Sequence, residues 1–237
     1  MSAEEAKGNI AIIPARGGSK RIPHKNIKSF AGKPMIGYAI EAALACEEIS
    51  RVIVTTDDDK IAAIAHQFGA EVPFRRPIEL ADDFTPTVPV IQHAIQACRK
   101  RGFEIGFVCC IYPSVPFIRT IDIAQALALL IEHDGEGYAF PVTGFPSPVQ
   151  RALKRGNDGA VQPFNPAHVD TRTQDLEPAF FDAGQFYWAR AETWLSGLSP
   201  HANGRAIVLP EWRVVDIDTP EDWRRAEALH RAIDVKG

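Results

Sequence analysis

Short apolar runs alternate with helical patterns along the first half of the chain. Runs of apolar and β-branched residues predict strands, whereas apolar residues that recur at helical spacing predict amphipathic helices. The predicted strands are Ile10–Pro14, Arg51–Thr56 and Gly106–Tyr112, with a short extended piece at Glu71–Phe74. The predicted helices are Met35–Ala45, Asp58–Phe68, Thr87–Arg101 and Thr120–Glu132. This alternation is typical of βαβ units, so we expect an α/β, Rossmann-like fold with a mostly parallel sheet flanked by helices.

The pattern changes between Pro141 and Ala183. Prolines recur there and only short strand-like pieces remain, so we interpret this segment as an insertion. Alternation then returns, with predicted strands at Gly184–Ala189, Ala206–Leu209 and Arg213–Ile217 and a last amphipathic helix at Pro220–Ile233. The predicted organisation is a nucleotide-binding α/β core over residues 1–140, an insertion over residues 141–183, and a return to the core over residues 184–237.

The composition is that of a globular, enzyme-sized protein. The chain has 237 residues, 46% hydrophobic and 24% charged, and its net charge of −4 argues against nucleic acid binding through a global field. Met1–Asn9 lacks the apolar run of a signal peptide and no later stretch could span a bilayer, so we expect a cytoplasmic protein that does not bind membranes. The cysteines lack C-x-x-C spacing, which argues against a disulfide framework or a zinc site.

The strongest chemical signal is the loop that follows the first predicted strand. Between Ala15 and Lys33 there are six Lys or Arg residues and no acid, and Gly17 and Gly18 are adjacent. Adjacent glycines let a backbone approach an anion closely while cations neutralise it, so the loop is built to hold a polyphosphate. The alternative is a solvated basic loop. The Walker and dinucleotide-binding glycine motifs are both absent, which disfavours ordinary P-loop ATPases and hydride-transfer enzymes.

A second signal is the pair Asp216 and Asp218. Residues two apart on a strand project from one face, so both carboxylates could reach one cation. Magnesium prefers one or two carboxylates with water and phosphate oxygens, which this pair could provide. The alternative is that Asp218 only caps the last helix, although Thr219 at the N-cap with Asp222 could do this without it.

Four motifs together resemble a family, the CMP-sugar synthetases for nonulosonic acids. The motifs are Ile12–Pro23, Glu79–Thr85, Gln150–Leu153 and Asp182–Trp188. The first is similar to the whole group, which includes CMP-sialic acid and CMP-Kdo synthetases, and the last two resemble the pseudaminic acid cytidylyltransferases within it. The resemblance implies a nucleotide-diphospho-sugar transferase type of fold, with the insertion as a dimerisation arm and a homodimer as the assembly.

The resemblance also implies roles for single residues. In the expected reaction, CMP passes from CTP to the anomeric hydroxyl of pseudaminic acid and pyrophosphate leaves, with Mg²⁺ on Asp216 and Asp218. Positioning and charge neutralisation by Arg16, Lys20 and Arg21 would supply most of the catalysis. The residues expected to bind the nucleotide are Arg16, Gly17, Gly18, Ser19, Lys20, Lys25, Asn26, Arg76 and Thr87.

The expected sugar site departs from the sialic acid pattern. Sialic acid synthetases tend to read Gln-Pro-Thr-Ser-Pro where this chain has Tyr112–Pro116, and Asn-Gly where it has Ala183 and Gly184. Altered polar groups beside the sugar imply that different ring substituents are recognised, which favours pseudaminic acid. The residues expected to bind the sugar are Tyr112, Ser114, Arg151, Arg172 and Gln185. Alternatives are the same reaction on N-acetylneuraminic, legionaminic or Kdo-type acids, and a non-catalytic protein that binds CTP or sugar on this fold.

Overall fold

The computed structural model describes residues 8–234. Most of the polar stretch Met1–Asn9 lies outside the described residues. Within them, no helix combines the length and apolar character needed to cross a membrane.

The fold is built on a seven-stranded sheet with the order β11-β6-β10-β5-β1-β4, and β9 pairs with β6. Its strands are β1 (Gly8–Pro14), β4 (Arg51–Thr55), β5 (Ile105–Ile111), β6 (Tyr138–Gly144), β9 (Phe180–Asp182), β10 (Phe186–Arg190) and β11 (Gly204–Val208). Strand β1 is parallel to β4 and β5, and β11 is parallel to β6, whereas β10 is antiparallel to both of its neighbours. The sheet is therefore mixed, with β9 and β10 reversed against the other strands.

Helices cover both faces of this sheet, which explains why its central strands read as continuous apolar runs. The α-helices of residues 8–234 are α1 (Met35–Leu44), α2 (Asp59–Gln67), α3 (Thr87–Arg99), α4 (Thr120–Ile131), α5 (Ala191–Leu195) and α6 (Pro220–Asp234). Residues of α1, α2 and α4 pack on one face with Ala11 and Ile13, and residues of α3 and α5 pack on the other with Ile10 and Ile12. The α/β, Rossmann-like prediction is confirmed.

Two short hairpins lie outside the sheet. One joins β2 (Ser29–Phe30) to β3 (Lys33–Pro34), and the other joins β7 (Leu153–Arg155) to β8 (Val161–Pro163). The predicted domain boundary after residue 140 falls inside β6, because this proline-containing strand is part of the sheet. Since β9 pairs with β6, the segment that leaves the sheet is residues 145–179, which we call the arm.

The predicted strand Arg213–Ile217 is wrong. The structure has a single turn of 3-10 helix at Glu211–Arg213, followed by irregular backbone up to α6. The apolar alternation that suggested a strand comes instead from Ile217, which packs between the first residues of α1 and the side chains of α6 such as Trp223.

The cationic loop, Tyr112 and the two aspartates meet at one edge of the sheet. This edge holds the carboxyl ends of β1, β4, β5, β6 and β11 and the start of β10, because β10 pairs Phe186 with Ile111. Ligands of open α/β sheets bind outside the carboxyl ends of the strands, so the topology gathers the candidate residues where a site is expected.

Candidate active site

The loop after β1 is held tightly at its start. Ala15 donates its backbone N–H to Thr55 O over 3.1 Å, and Gly17 donates to Asp57 Oδ1 over 3.0 Å. A hydrogen bond also joins two distant parts of the loop, since Asn26 Nδ2 donates to Arg16 O over 3.0 Å. The backbone from Ala15 to Gly17 is therefore fixed against the end of β4.

Four of the six cations of this loop bind one of two carboxylates, Asp83 or Asp218. Arg16 and Lys20 both bind Asp83, the latter over 2.5 Å, and Arg16 also donates to Asp82 O over 2.8 Å. Hydrogen bonds from Lys20 and Arg16 hold the pKa of Asp83 below its ordinary value. Together with Ser19, Arg21, Lys25 and Asp218 these side chains line a cavity of about 290 Å³, which we call the loop cavity.

Asp218 binds two further cations of the loop. Its carboxylate accepts from Arg21 over 2.6 Å and from Lys25 Nζ over 3.2 Å, and Lys25 Nζ also donates to Ile217 O over 2.7 Å. Lys25 and Asp218 line a second, larger cavity as well, of about 680 Å³, which we call the main cleft. The loop cavity and the main cleft therefore adjoin at this ion pair.

Asp216 also lines the main cleft, as Asp218 does, whereas Ile217 between them is buried. Partial burial and the charge of Asp218 raise the pKa of Asp216. Asp218 is not needed as a helix cap, because Thr219 and Asp222 form the capping box of α6: Thr219 N donates to Asp222 Oδ2 over 2.8 Å and Asp222 N to Thr219 Oγ1 over 3.2 Å.

Two neighbouring carboxylates in an open cleft suit a hard cation that keeps water and phosphate oxygens as its other ligands. Residues 8–234 contain no group of three or more His, Cys, Asp or Glu side chains that could enclose a metal ion. The pair thus fits magnesium better than a metal that needs a closed set of protein ligands.

Arg76 and Thr87, both predicted to bind the nucleotide, line neither the main cleft nor the loop cavity. Arg76 is 4% exposed, donates to the backbone and hydroxyl oxygens of Thr55, and has a pKa that burial lowers to about 10. Thr87 Oγ1 lies 2.9 Å from the hydroxyl of Tyr112. Arg76 therefore supports the end of β4, whereas Thr87 supports Tyr112, whose ring forms part of the wall of the main cleft.

Comparison with known proteins agrees with this geometry. A family model described as cytidylyltransferase matches residues 10–193. The chain belongs to the cytidylyltransferase family. The matched part of this cytidylyltransferase includes the cationic loop, Asp83 and β10, but it ends before Asp216 and Asp218.

Relatives of this cytidylyltransferase cover nearly its whole length. A pseudaminic acid cytidylyltransferase of Campylobacter jejuni is 38% identical over 94% of this chain and 96% of its own. A CMP-N,N'-diacetyllegionaminic acid synthase of Legionella pneumophila is 30% identical over 93% of this chain and 95% of its own. A CMP:2-keto-3-deoxy-manno-octonic acid synthetase solved with CTP has the same fold, with a TM-score of 0.69 over 95% of this chain and 99% of that one at 19% identity.

The residues predicted to bind sugar are only partly brought together in this cytidylyltransferase. Tyr112 and Ser114 line the main cleft, and Ser114 Oγ donates to Asn26 Oδ1 over 3.3 Å. Gln185 is buried and donates to Arg213 O over 2.9 Å. Arg151 and Arg172 lie on the arm, away from the lining of the cleft, and Arg172 pairs with Asp175 over 2.7 Å.

Sequence reasoning missed a hydrogen-bonded group beside the cleft. Asp182 Oδ2 accepts from the Tyr187 hydroxyl over 2.6 Å and lies 2.7 Å from Nε2 of His201. Tyr112, Tyr187 and His201 line a further cavity of about 500 Å³ on the other side of the Tyr112 ring. Asp182 and Tyr187 belong to one of the four family motifs, but nothing in the sequence places His201 near them.

Proposed function

We propose that this cytidylyltransferase transfers CMP from CTP to the anomeric hydroxyl of pseudaminic acid and releases pyrophosphate. The observation that carries the proposal is the junction at Lys25 and Asp218, where a cationic cavity adjoins a cleft with two carboxylates. A triphosphate and an acidic sugar could each take one of these spaces with their reacting atoms close together. The 38% identical relative supports pseudaminic acid as the sugar.

The nucleotide's phosphates would replace carboxylates as partners of the loop cations. Arg16 and Lys20, now paired with Asp83, would bind phosphate oxygens, and Arg21 would do so beside Asp218. Gly18 would offer its backbone N–H group to the same oxygens, whereas the N–H groups of Gly17 and Ser19 already donate to Asp57 Oδ1 and to Gly17 O, each over 3.0 Å. Lys25 and Asn26 line the main cleft and would contact the rest of the nucleotide.

Asp216 and Asp218 would hold Mg²⁺, and the ion when bound would neutralise negative charge on the phosphate oxygens. The side chains of the protein contribute position and charge. In the transfer, the anomeric oxygen forms a bond to the α-phosphorus, the bond from that phosphorus to pyrophosphate breaks, and the hydroxyl proton leaves to water. Arg16, Lys20 and Arg21 would stabilise the charge that develops on pyrophosphate.

The sugar would lie in the main cleft against Tyr112 and Ser114. Its carboxylate requires a cation, and we propose that the arm supplies Arg151 or Arg172 to the site of a partner subunit in a homodimer. Exposed apolar side chains on the arm, namely Leu153, Val161 and Phe164, support such an assembly. Four free, buried cysteines are compatible with the reducing cytoplasm that we propose as its location.

The test is pyrophosphate release from CTP and Mg²⁺ with four acids in parallel: pseudaminic, N,N'-diacetyllegionaminic, N-acetylneuraminic and Kdo. We expect the highest kcat/KM with pseudaminic acid and no release without sugar. The 30% identical relative makes legionaminic acid the second candidate, and a preference for it would overturn the assignment of the sugar but not of the reaction. Binding of CTP without turnover on any acid would overturn the reaction.

A further inference from the structure

The segment that carries Asp216 and Asp218 has no strand to hold it. Among the backbone hydrogen bonds of residues 8–234, none joins residues 214–218 to the sheet; the last such bond before them is Leu209 N to Val142 O over 2.8 Å. A metal site requires its ligands within a few tenths of an ångström of the productive geometry. Side chains must therefore fix this segment.

Its carboxyl end is held by the capping box of Thr219 and Asp222, by the packing of Ile217 and by Lys25 Nζ, which donates to Ile217 O over 2.7 Å. At its amino end, Arg213 makes hydrogen bonds to residues on two other segments. The guanidinium of Arg213 binds both carboxylate oxygens of Asp122, Nη1 over 3.3 Å and Nη2 over a shorter contact, and Nη2 also lies 3.4 Å from Phe117 O. The backbone oxygen of Arg213 accepts from Gln185 Nε2 over 2.9 Å.

This ion pair is buried, since Arg213 is 4% exposed and Asp122 5%. Taking two charges out of water costs several kcal/mol per ion, and apolar residues of similar volume often stabilise a fold equally well. A buried ion pair thus adds little to the stability of the fold. It does fix the relative orientation of its two side chains, because the planar guanidinium meets a carboxylate in one bidentate geometry. Asp122 lies in the first turn of α4, which packs on the sheet.

We propose that Arg213 and Asp122 are positioning residues: their bidentate pair sets the place of Asp216 and Asp218 and thereby the affinity of the site for its divalent cation and nucleotide. This inference rests on the proposed function for the identity of the ligand. Arg213 is three residues from Asp216, so the anchor lies within one short irregular stretch of the carboxylate that it places. Gln185, predicted to bind sugar, has a structural role in this arrangement because its amide holds the backbone of Arg213.

The test replaces the pair by apolar residues, Arg213→Met with Asp122→Leu, and measures three quantities. These are the Tm, the affinity for Mn²⁺ by electron paramagnetic resonance in the presence of CTP without sugar, and hydrogen exchange of residues 214–218. We expect a Tm close to that of the wild type. We also expect Mn²⁺ affinity to fall by at least about tenfold, as for other residues that orient metal ligands, and faster exchange. If the pair served only the stability of the fold, a double variant with the Tm of the wild type would also keep its Mn²⁺ affinity and its exchange rates. That result would overturn the proposal.

Two further variants keep the test decisive. If the double variant does not fold, Arg213→Lys retains the charge but not the bidentate geometry, and we expect a weaker Mn²⁺ site at an unaltered Tm; unchanged affinity would overturn the proposal. The matched control is Arg99→Met with Glu192→Leu, because that pair also has two contacts, both of 2.9 Å, but lies between α3 and α5. If the wild type does not bind Mn²⁺ with CTP, the proposed function is contradicted. The anchoring of residues 214–218 by Arg213 is still tested in that case, by hydrogen exchange.

Discussion

The close approach of Gly17 to Asp58 leads to a prediction with a measurable size. A Cβ at Gly17 would lie 2.7 Å from Asp58 Oδ2 and 2.9 Å from its Cβ, whereas one at Gly18 would meet nothing within 4 Å. Asp58 cannot turn away freely, because its Oδ1 caps α2 by accepting from Lys60 N over 2.7 Å and Ile61 N over 3.1 Å. Gly17→Ala therefore forces either overlap or loss of the cap.

Overpacking of this kind costs about 1–3 kcal/mol, and loss of an N-cap costs about 0.5–2 kcal/mol. Ala also lowers the entropy of the unfolded chain, which raises the free energy of unfolding by about 0.4–1 kcal/mol and offsets part of this cost. A net loss of about 1–2 kcal/mol in a chain of this size lowers the Tm by about 2–8 °C. Gly18→Ala meets open space, so its Tm should match or slightly exceed that of the wild type.

The two variants separate folding from nucleotide binding. Differential scanning calorimetry gives the Tm, and titration calorimetry with CTP and Mg²⁺ gives the affinity. Gly17→Ala should lower both. Gly18→Ala should lower only the affinity, because its Cβ would occupy space that we assign to phosphate. An unaltered Tm for Gly17→Ala would refute the packing argument, and full CTP affinity in Gly18→Ala would refute the phosphate cradle at this glycine.

Three other changes test single contacts of the site. Asp83→Asn removes the counter-charge of Arg16 and Lys20, so the KM for CTP should fall in steady-state assays; a higher KM would show that Asp83 helps to bind the nucleotide. Arg172→Gln removes one charge-assisted contact, so it should raise the KM for the sugar by about tenfold while the KM for CTP stays constant. Equal effects on both KM values would contradict a role at the sugar carboxylate. Chelation of divalent cations should abolish pyrophosphate release, and activity that persists would argue against a metal on Asp216 and Asp218.

The sheet and its helices could be predicted because both rest on local pattern. Central strands such as β5 are apolar along their length, and the helices of both faces show clear apolar stripes. Each element can therefore be predicted from its own residues. The reversal of β10 could not be predicted. The direction of β10 depends on its pairing with β5 and β6, which are distant in sequence, and no local pattern in the sequence indicates it.

Candidate site residues could be proposed from the sequence where they lie close together in it. The loop cations and the pair of aspartates are local, and the structure places Lys25 and Asp218 in contact. No strand forms at the aspartates, because one buried residue, Ile217, is enough to give apolar alternation without any partner strand. The ion pair of Arg213 with Asp122 joins residues 91 apart, and such a pairing has no signature in a single sequence.

The most direct test of the central claim is the identity of the product. The wild-type protein, with CTP, Mg²⁺ and pseudaminic acid, should form CMP-pseudaminic acid and pyrophosphate in equal amounts, measured by mass spectrometry and a pyrophosphate assay on the same sample. Free CMP in place of the sugar conjugate, or pyrophosphate released without sugar, would contradict transfer to the anomeric hydroxyl.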